Sequence, residues 1–219
     1  MALPTFLSLV NDVLVRLREP EVTTVNENSL SKVVGKFVND AKRQVEDSYD
    51  WNALTTTLTA NTTDGIFNYS LVGTGSRFKL IEIYNNTNRY HLESRDGISM
   101  TQSFLSSASP QKGPPNYYNF NGVDSNGDTQ VDVFPIPDGV YQLFFNIYQP
   151  QDELATDAAT MLVPKEPVIL LALARAIVDR GEDGGLSSGD AFPLFQRALA
   201  DYISIEQSRY PELDSWNWA

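Results

Sequence analysis

The sequence contains no cysteine and a single histidine, His91. Without thiols the chain cannot build a disulfide scaffold, a thiolate zinc site or a cysteine nucleophile. One histidine excludes a multi-histidine metal site, and a Ser-His-Asp triad would have to use His91. These gaps remove most common catalytic arrangements. We therefore predict that the protein is not an enzyme, has no catalytic or metal-ligating residues and uses no cofactor.

Positive charge and long apolar runs are also scarce. The 219 residues include 16 lysines and arginines against 28 acidic side chains, which gives a net charge of −12. Tight binding to phosphate backbones needs clustered Lys and Arg, and these are scarce here, so tight nucleic-acid binding is not expected. No apolar stretch approaches the roughly 20 residues that span a bilayer. The first residues resemble an amphipathic helix rather than a signal peptide, so we expect a soluble protein, intracellular where it is made.

Apolar residues at helical spacing predict four helices, two at each end of the chain. Their expected spans are 4–19, 28–50, 164–181 and 188–209. The third contains the run Val168–Val178, which has little polar face and should therefore be central and buried. On the second helix, four cations are expected on faces other than the apolar one: Lys32, Lys36, Lys42 and Arg43.

Between these helical ends the pattern changes to alternation, with frequent Thr and Asn and turn-forming separators. Gly97 to Leu105 could add a short helix between strands. This texture indicates an antiparallel β module in the size range of a small sandwich or barrel. The seven candidate strands are Thr55–Thr59, Phe67–Val72, Phe78–Tyr84, Arg89–Glu93, Asn116–Asn121, Gln130–Pro135 and Val140–Tyr148.

The fold class that follows is α+β. Residues 1–53 and 150–209 should form a four-helix bundle, because two helices alone cannot cover their apolar stripes. Residues 54–149 form the antiparallel β domain inserted into the bundle. Residues 210–219 are expected to be an extended C-terminal tail.

Two polar clusters deserve a chemical interpretation. His91 lies in a candidate strand, and Glu93, two residues further on, should lie on the same face. As a general base, His91 would also need a nucleophile and an orienting acid. We therefore favour an ordinary surface histidine beside a glutamate. Asp124, Asn126 and Asp128 have the spacing of the first ligands of an EF-hand loop, but its glycine and glutamate positions hold Thr129 and Pro135. A hairpin turn at Asn126-Gly127 is favoured, and a weak surface Ca²⁺ site at 124–128 stays open.

Aromatic residues supply the candidate partner contacts. Tyr210, Trp216 and Trp218 lie in the segment YPELDSWNWA, and Tyr117 and Tyr118 follow Gly113-Pro114-Pro115. Tryptophan is enriched at binding hot spots because it buries a large area while few rotatable side-chain bonds lose their freedom. Docking to another chain and folding back onto the same domain are both open for the tail. Half of the tyrosine pair is expected to belong to the sheet core.

Short motifs along nearly the whole chain carry a family resemblance. They are Leu9–Leu14, Arg18–Val25, Asp50-Trp51-Asn52, Gly113–Tyr118, Phe134–Tyr141 and Arg180–Asp183. With them the sequence resembles the head-to-tail adaptor proteins of short-tailed tailed bacteriophages, also called tail tubular protein A.

The resemblance implies a structural role in the virion neck or tail, after assembly in the host cytoplasm. Such adaptors form a ring, usually of twelve copies, that joins the portal protein to the tail tube or nozzle protein. Genomic DNA passes through the ring without sequence-specific binding, and no membrane is involved. The family has no catalytic residues to assign to this chain.

Two other functions remain as alternatives at this point. The aromatic residues of 113–121 and 141–148 could form the platform of a carbohydrate- or peptide-binding β module on a helical base. An enzyme is a distant third, because it would rely on carboxylates and His91.

Overall fold

A computed structural model describes residues 3–75, 77–101, 108–181 and 188–209. The chain divides into two compact units: a helical unit, made of the residues up to Leu54 and from Pro150 onward, and a β unit, Thr55–Gln149. Within the described residues the fold is mixed α+β, with five helices and two four-stranded sheets. No helix among those residues is long and apolar enough to cross a membrane.

The helical unit contains α1 (Phe6–Arg16), α2 (Ser29–Ser48), α4 (Lys165–Arg180) and α5 (Ser188–Arg209), and the short α3 (Gly97–Ser99) belongs to the β unit. Local signals set several of these boundaries. Asn28 caps α2 in a capping box with Ser31, in which each side chain accepts a hydrogen bond from the other's backbone N–H. Gly181 ends α4 with φ +62°, a left-handed conformation that glycine adopts without penalty.

Helix α4 is the centre of the helical unit. It packs against α1, α2 and α5, and its interior face is built from small and branched apolar side chains. That environment explains why its sequence shows little polar face. The prediction of a buried central third helix is confirmed. Its buried apolar residues are Pro167, Val168, Ile169, Leu171, Ala172, Leu173, Ala174, Ala176 and Ile177.

Gly35 lets α2 approach the segments beneath it. A Cβ at this position would lie 2.9 Å from Val25 Cγ1 and 3.1 Å from Phe6 Cζ. We expect Gly35→Ala to destabilise the protein by about 1 kcal/mol, because packing strain of about 1–3 kcal/mol exceeds the gain of about 1 kcal/mol in helix propensity. Urea unfolding measures the difference.

The matched control for that substitution is Gly139→Ala. Gly139 has no heavy atom within 4 Å of the added Cβ and no positive φ, so alanine there should be neutral or slightly stabilising. Equal or greater stability of Gly35→Ala would contradict the close packing at α2.

The β unit is a sandwich of two sheets. Its strands are β1 (Thr55–Asn61), β2 (Asn68–Ser70), β3 (Lys79–Asn85), β4 (Tyr90–His91), β5 (Glu93–Ser94), β6 (Tyr117–Val123), β7 (Thr129–Phe134) and β8 (Gln142–Tyr148). They pair in the orders β1-β8-β3-β4 and β2-β7-β6-β5, and every pair is antiparallel except β5 with β6. One apolar core is shared by both sheets: Leu71, Ile83, Leu92, Val131, Val133, Leu143, Phe145 and Ile147.

One predicted strand is divided between the two sheets. Arg89–Glu93 was expected to be continuous, but β4 pairs with β3 in one sheet and β5 pairs with β6 in the other. The change occurs at Leu92, whose side chain is buried in the shared core while its N–H bonds to Ile83 O at 2.9 Å. The predicted short helix Gly97–Leu105 begins at Gly97 as α3, and positions 102–107 lie outside the described residues.

Candidate functional site

His91 lies on β4 as an exposed side chain. Its Nδ1 is 3.1 Å from Glu82 Oε2 on the neighbouring strand β3, and Glu82 also accepts a hydrogen bond from Asn146 Nδ2 at 2.7 Å. The predicted pairing with Glu93 is wrong, because the chain changes sheets between the two residues; Glu93 instead lies 3.8 Å from Arg95. The arrangement is an exposed histidine beside a glutamate on the neighbouring strand, which fits the favoured interpretation of this histidine.

The segment 124–128 forms a turn whose carboxylates bind backbone N–H groups. Asp124 Oδ1 accepts from Asn126 N at 2.8 Å and from Asp128 N at 3.0 Å. These hydrogen bonds, chiefly the one from Asn126, hold the pKa of Asp124 below its usual value because they stabilise the charged form. Asp128 Oδ1 accepts from Gly73 N at 2.9 Å. The structure thus has the favoured hairpin turn, and among the described residues no cluster of three or more acidic or histidine side chains could hold a metal ion.

Tyr117 and Tyr118 point to opposite sides of β6. The Arg95 guanidinium lies 4.4 Å from the ring centre of Tyr117, whereas Tyr118 packs against the sandwich core. Half of the pair is therefore core, as expected, and the two rings do not form one platform. A role for either residue in partner binding stays a prediction. The other candidates, Tyr210, Trp216 and Trp218, lie outside the described residues.

A buried polar cluster on α2 holds the segment that returns from the β unit. Lys42 Nζ lies 3.0 Å from Glu46 Oε1 and donates to the carbonyls of Gln151 and Asp152 at 2.8 and 3.0 Å. The Asn39 amide accepts from Leu154 N at 2.9 Å and donates to Leu154 O. The expectation that Lys42 lies away from the buried face is wrong: its side chain is 3% exposed.

An apolar groove of about 430 Å³ opens next to this cluster, between the start of α1, the N-terminal half of α2 and residues 153–155. Its apolar walls include Phe6, Val25, Val33 and Leu154, and Lys32 and Lys36 stand on its rim. Lys36 lies 3.9 Å from Glu153, while Lys32 has no ion pair among the described residues. We call this feature the α1–α2 groove.

Sequence reasoning missed the α1–α2 groove, because three separate segments line it. The available signal was Val33, an apolar residue with Lys32 and Lys36 on either side. Its side chain is 39% exposed in the groove wall, although the helical period of α2 places it beside the buried apolar residues.

Comparison with known proteins assigns a family. No curated protein matches the chain. Among solved structures, one similar chain comes from the neck of an empty GTA particle computed with C6 symmetry; the identity is 12%, the TM-score 0.30, and the alignment covers 90% of this chain and 91% of that one. The family model described as SU10 adaptor protein matches residues 4–215. Because that match spans both the helical unit and the β unit, the chain belongs to the SU10 adaptor protein family.

Proposed function

We propose that this chain is a phage head-to-tail adaptor, a structural protein of the virion neck rather than an enzyme. The observation that carries the proposal is the adaptor-family match over residues 4–215. In this role the protein joins the portal to the tail tube or nozzle, as the tail tubular protein A type does. Assembly would take place in the host cytoplasm.

The proposed assembly is a ring of about twelve copies. Helices α1, α2, α4 and α5 form the proposed four-helix bundle, with α4 at its centre, and the β unit is a separate compact unit. A ring requires heterologous contacts, in which one patch of each copy meets a different patch of the next. Tyr210, Trp216 and Trp218, with Tyr117 and Tyr118, are the proposed partner-contact residues.

The charge of the chain suits a wall around DNA. Each copy carries a net charge of −12, so a ring whose acidic faces line the central opening would concentrate negative charge there. Such a surface repels phosphates and does not retain a passing duplex. Salt limits the repulsion to about 8 Å from the wall at physiological ionic strength. DNA can therefore pass through the proposed channel without sequence-specific binding.

Mass photometry tests this proposal directly. The purified chain is measured alone and after mixing with the portal protein encoded beside it. We expect a small species alone and, in the mixture, a discrete complex whose added mass corresponds to about twelve copies. Bovine serum albumin mixed with the same portal is the control for non-specific association.

A chain that remains a small species and never binds portal would contradict the adaptor function. Glycan-array screening of the same sample then tests the carbohydrate-binding alternative. Binding of an isolated monomer to a defined glycan would support that alternative.

A further inference from the structure

We propose that residues 210–219 of one copy bind in the α1–α2 groove of a neighbouring copy. Trp216 or Trp218 would lie against the apolar walls of the groove, with Glu212 and Asp214 beside Lys32 and Lys36. This inference rests on the proposed function, because it names the contact that links copies within the ring.

The chemistry of the groove matches that of the tail. The groove offers an apolar interior beneath a rim on which Lys32 has no ion pair within the described part of the chain. The sequence after Arg209 reads YPELDSWNWA, with two acidic side chains, three aromatic ones and no basic one. An indole that leaves water for such a site buries about 150–250 Å². The acidic positions precede the tryptophans, so both kinds of contact can form on one short segment.

The groove and the start of the tail lie at opposite ends of the helical unit. The groove is lined by residues of the N-terminal half of α2. The last turns of α5 instead lie beside Trp51 and Asn52, just beyond the C-terminal end of α2: Asn52 N donates to Glu206 Oε1 at 3.2 Å, and Trp51 and Arg209 line one cavity. The Trp51 indole donates to Val45 O at 2.7 Å, which fixes this region against the last turn of α2.

The separation favours a second copy over the tail's own chain. Val33 and Ser48 are separated by about 22 Å along α2, at about 1.5 Å per residue. Trp218, nine residues beyond Arg209, could span that distance, since nine extended residues reach about 32 Å. Glu212 and Asp214 lie only three and five residues beyond Arg209 and reach at most about 11 and 18 Å, whereas Lys36 and Lys32 are about 18 and 24 Å from Ser48 along α2. Only a straight, fully extended tail would therefore bring the acidic side chains to the lysines of its own groove. A neighbouring copy presents the groove without that constraint.

A contact of this kind is heterologous. The tail at one end of the helical unit meets a groove at the other end of the next unit, so each copy uses one donor and one acceptor surface. Repetition of such a contact builds a ring when the rotation between copies closes. The proposed contact therefore has the symmetry that the adaptor ring needs.

Cysteine cross-linking tests the contact in the full chain. Because the sequence has no cysteine, two introduced thiols are the only ones present. Val33→Cys in the groove wall and Asn217→Cys between the tryptophans are made in separate chains, mixed at high concentration and oxidised mildly. We expect the heterodimeric disulfide, identified by intact mass, to form at least about tenfold faster than the control pair.

The control pair replaces Val33→Cys by Gln44→Cys, which lies on the same face of α2 about three turns further on. Adding Trp216→Ala and Trp218→Ala to the tail partner should slow cross-linking at least about tenfold, as loss of a hot spot does. Lys32→Glu with Lys36→Glu should slow it several-fold, as loss of exposed ion pairs does.

The outcomes separate the two proposals. Cross-linking no faster than in the control pair, with or without portal, would overturn the inference. Loss of the cross-link when portal is added would also overturn it, because the tail would then bind the portal instead. A third variant carries both Val33→Cys and Asn217→Cys in one chain. If its intramolecular disulfide forms faster than the disulfide between chains, the inference is also overturned. Portal binding by mass photometry on the same samples tests the adaptor function independently. Specific cross-linking without portal binding would contradict only that function.

Discussion

Replacing Lys42 by methionine is expected to lower the free energy of unfolding of the helical unit by about 3–5 kcal/mol, the usual cost of removing one partner of a buried ion pair. The Lys42 ammonium lies 3.0 Å from Glu46 Oε1, and the exposures of the two side chains are 3% and 0%. Methionine retains the aliphatic stem and removes the charge. The Glu46 carboxylate then stays buried without this cation, and the carbonyls of Gln151 and Asp152 lose their donor.

Urea unfolding followed by circular dichroism measures the loss. The matched control is Arg43→Met, next in the chain, whose exposed guanidinium lies 2.9 Å from Glu153 Oε1; such a pair contributes about 0–1 kcal/mol. Adding Glu46→Leu to Lys42→Met should restore part of the stability, because a buried ion pair can be replaced by apolar side chains at little cost. Equal losses for Lys42→Met and Arg43→Met would contradict the buried pair.

Phe145→Ala is expected to destabilise the β unit by about 3–5 kcal/mol. Phe145 is fully buried on β8, where its cross-strand neighbours are Leu58 on β1 and Ile83 on β3. Its removal leaves a cavity between the two sheets, since β8 is an interior strand held on both sides and cannot easily move to fill the space.

Hydrogen exchange localises this effect, because it reports the opening of β-unit amides separately from those of the helical unit. The control is Phe144→Ala, on the same strand but facing the opposite side of the sheet and only half buried. It should cost less, because part of its surface is already exposed to solvent and its removal leaves no enclosed cavity. If the two variants were equally destabilised, the assignment of Phe145 to the core face would be wrong.

Much of the fold follows from signals that are local in sequence. The period of the apolar residues identifies the four long helices, and Asn28 and Gly181 mark two of their ends because capping depends on the immediate neighbours. Alternation along Gln142–Tyr148 likewise identifies β8, whose residues are alternately half-buried and buried. In each case the physical cause lies within a few residues of the pattern.

The features that sequence reasoning missed depend on partners far away in the chain. A lysine on a helix is normally solvated, and the carbonyls that hold Lys42 are 109 and 110 residues distant. The strand 89–93 divides because Leu92 must enter a core shared by two sheets, and strands of two residues are too short to show a pattern. The aromatic tail, by contrast, was visible in composition, and its role as a contact stays a prediction.

The pairing of Thr55 with Tyr148 has a consequence for how this protein can change over time. The first residue of the first strand and the last residue of the last strand are direct neighbours, so the helical unit is interrupted by a gap of only about 5 Å. The two ends of Thr55–Gln149 are therefore as close together as the ends of a tight hairpin, whatever the length of the segment between them. Loops of the sandwich can therefore lengthen or shorten without altering these anchor points. Insertions and deletions within the β unit need not disturb the packing of the helical unit.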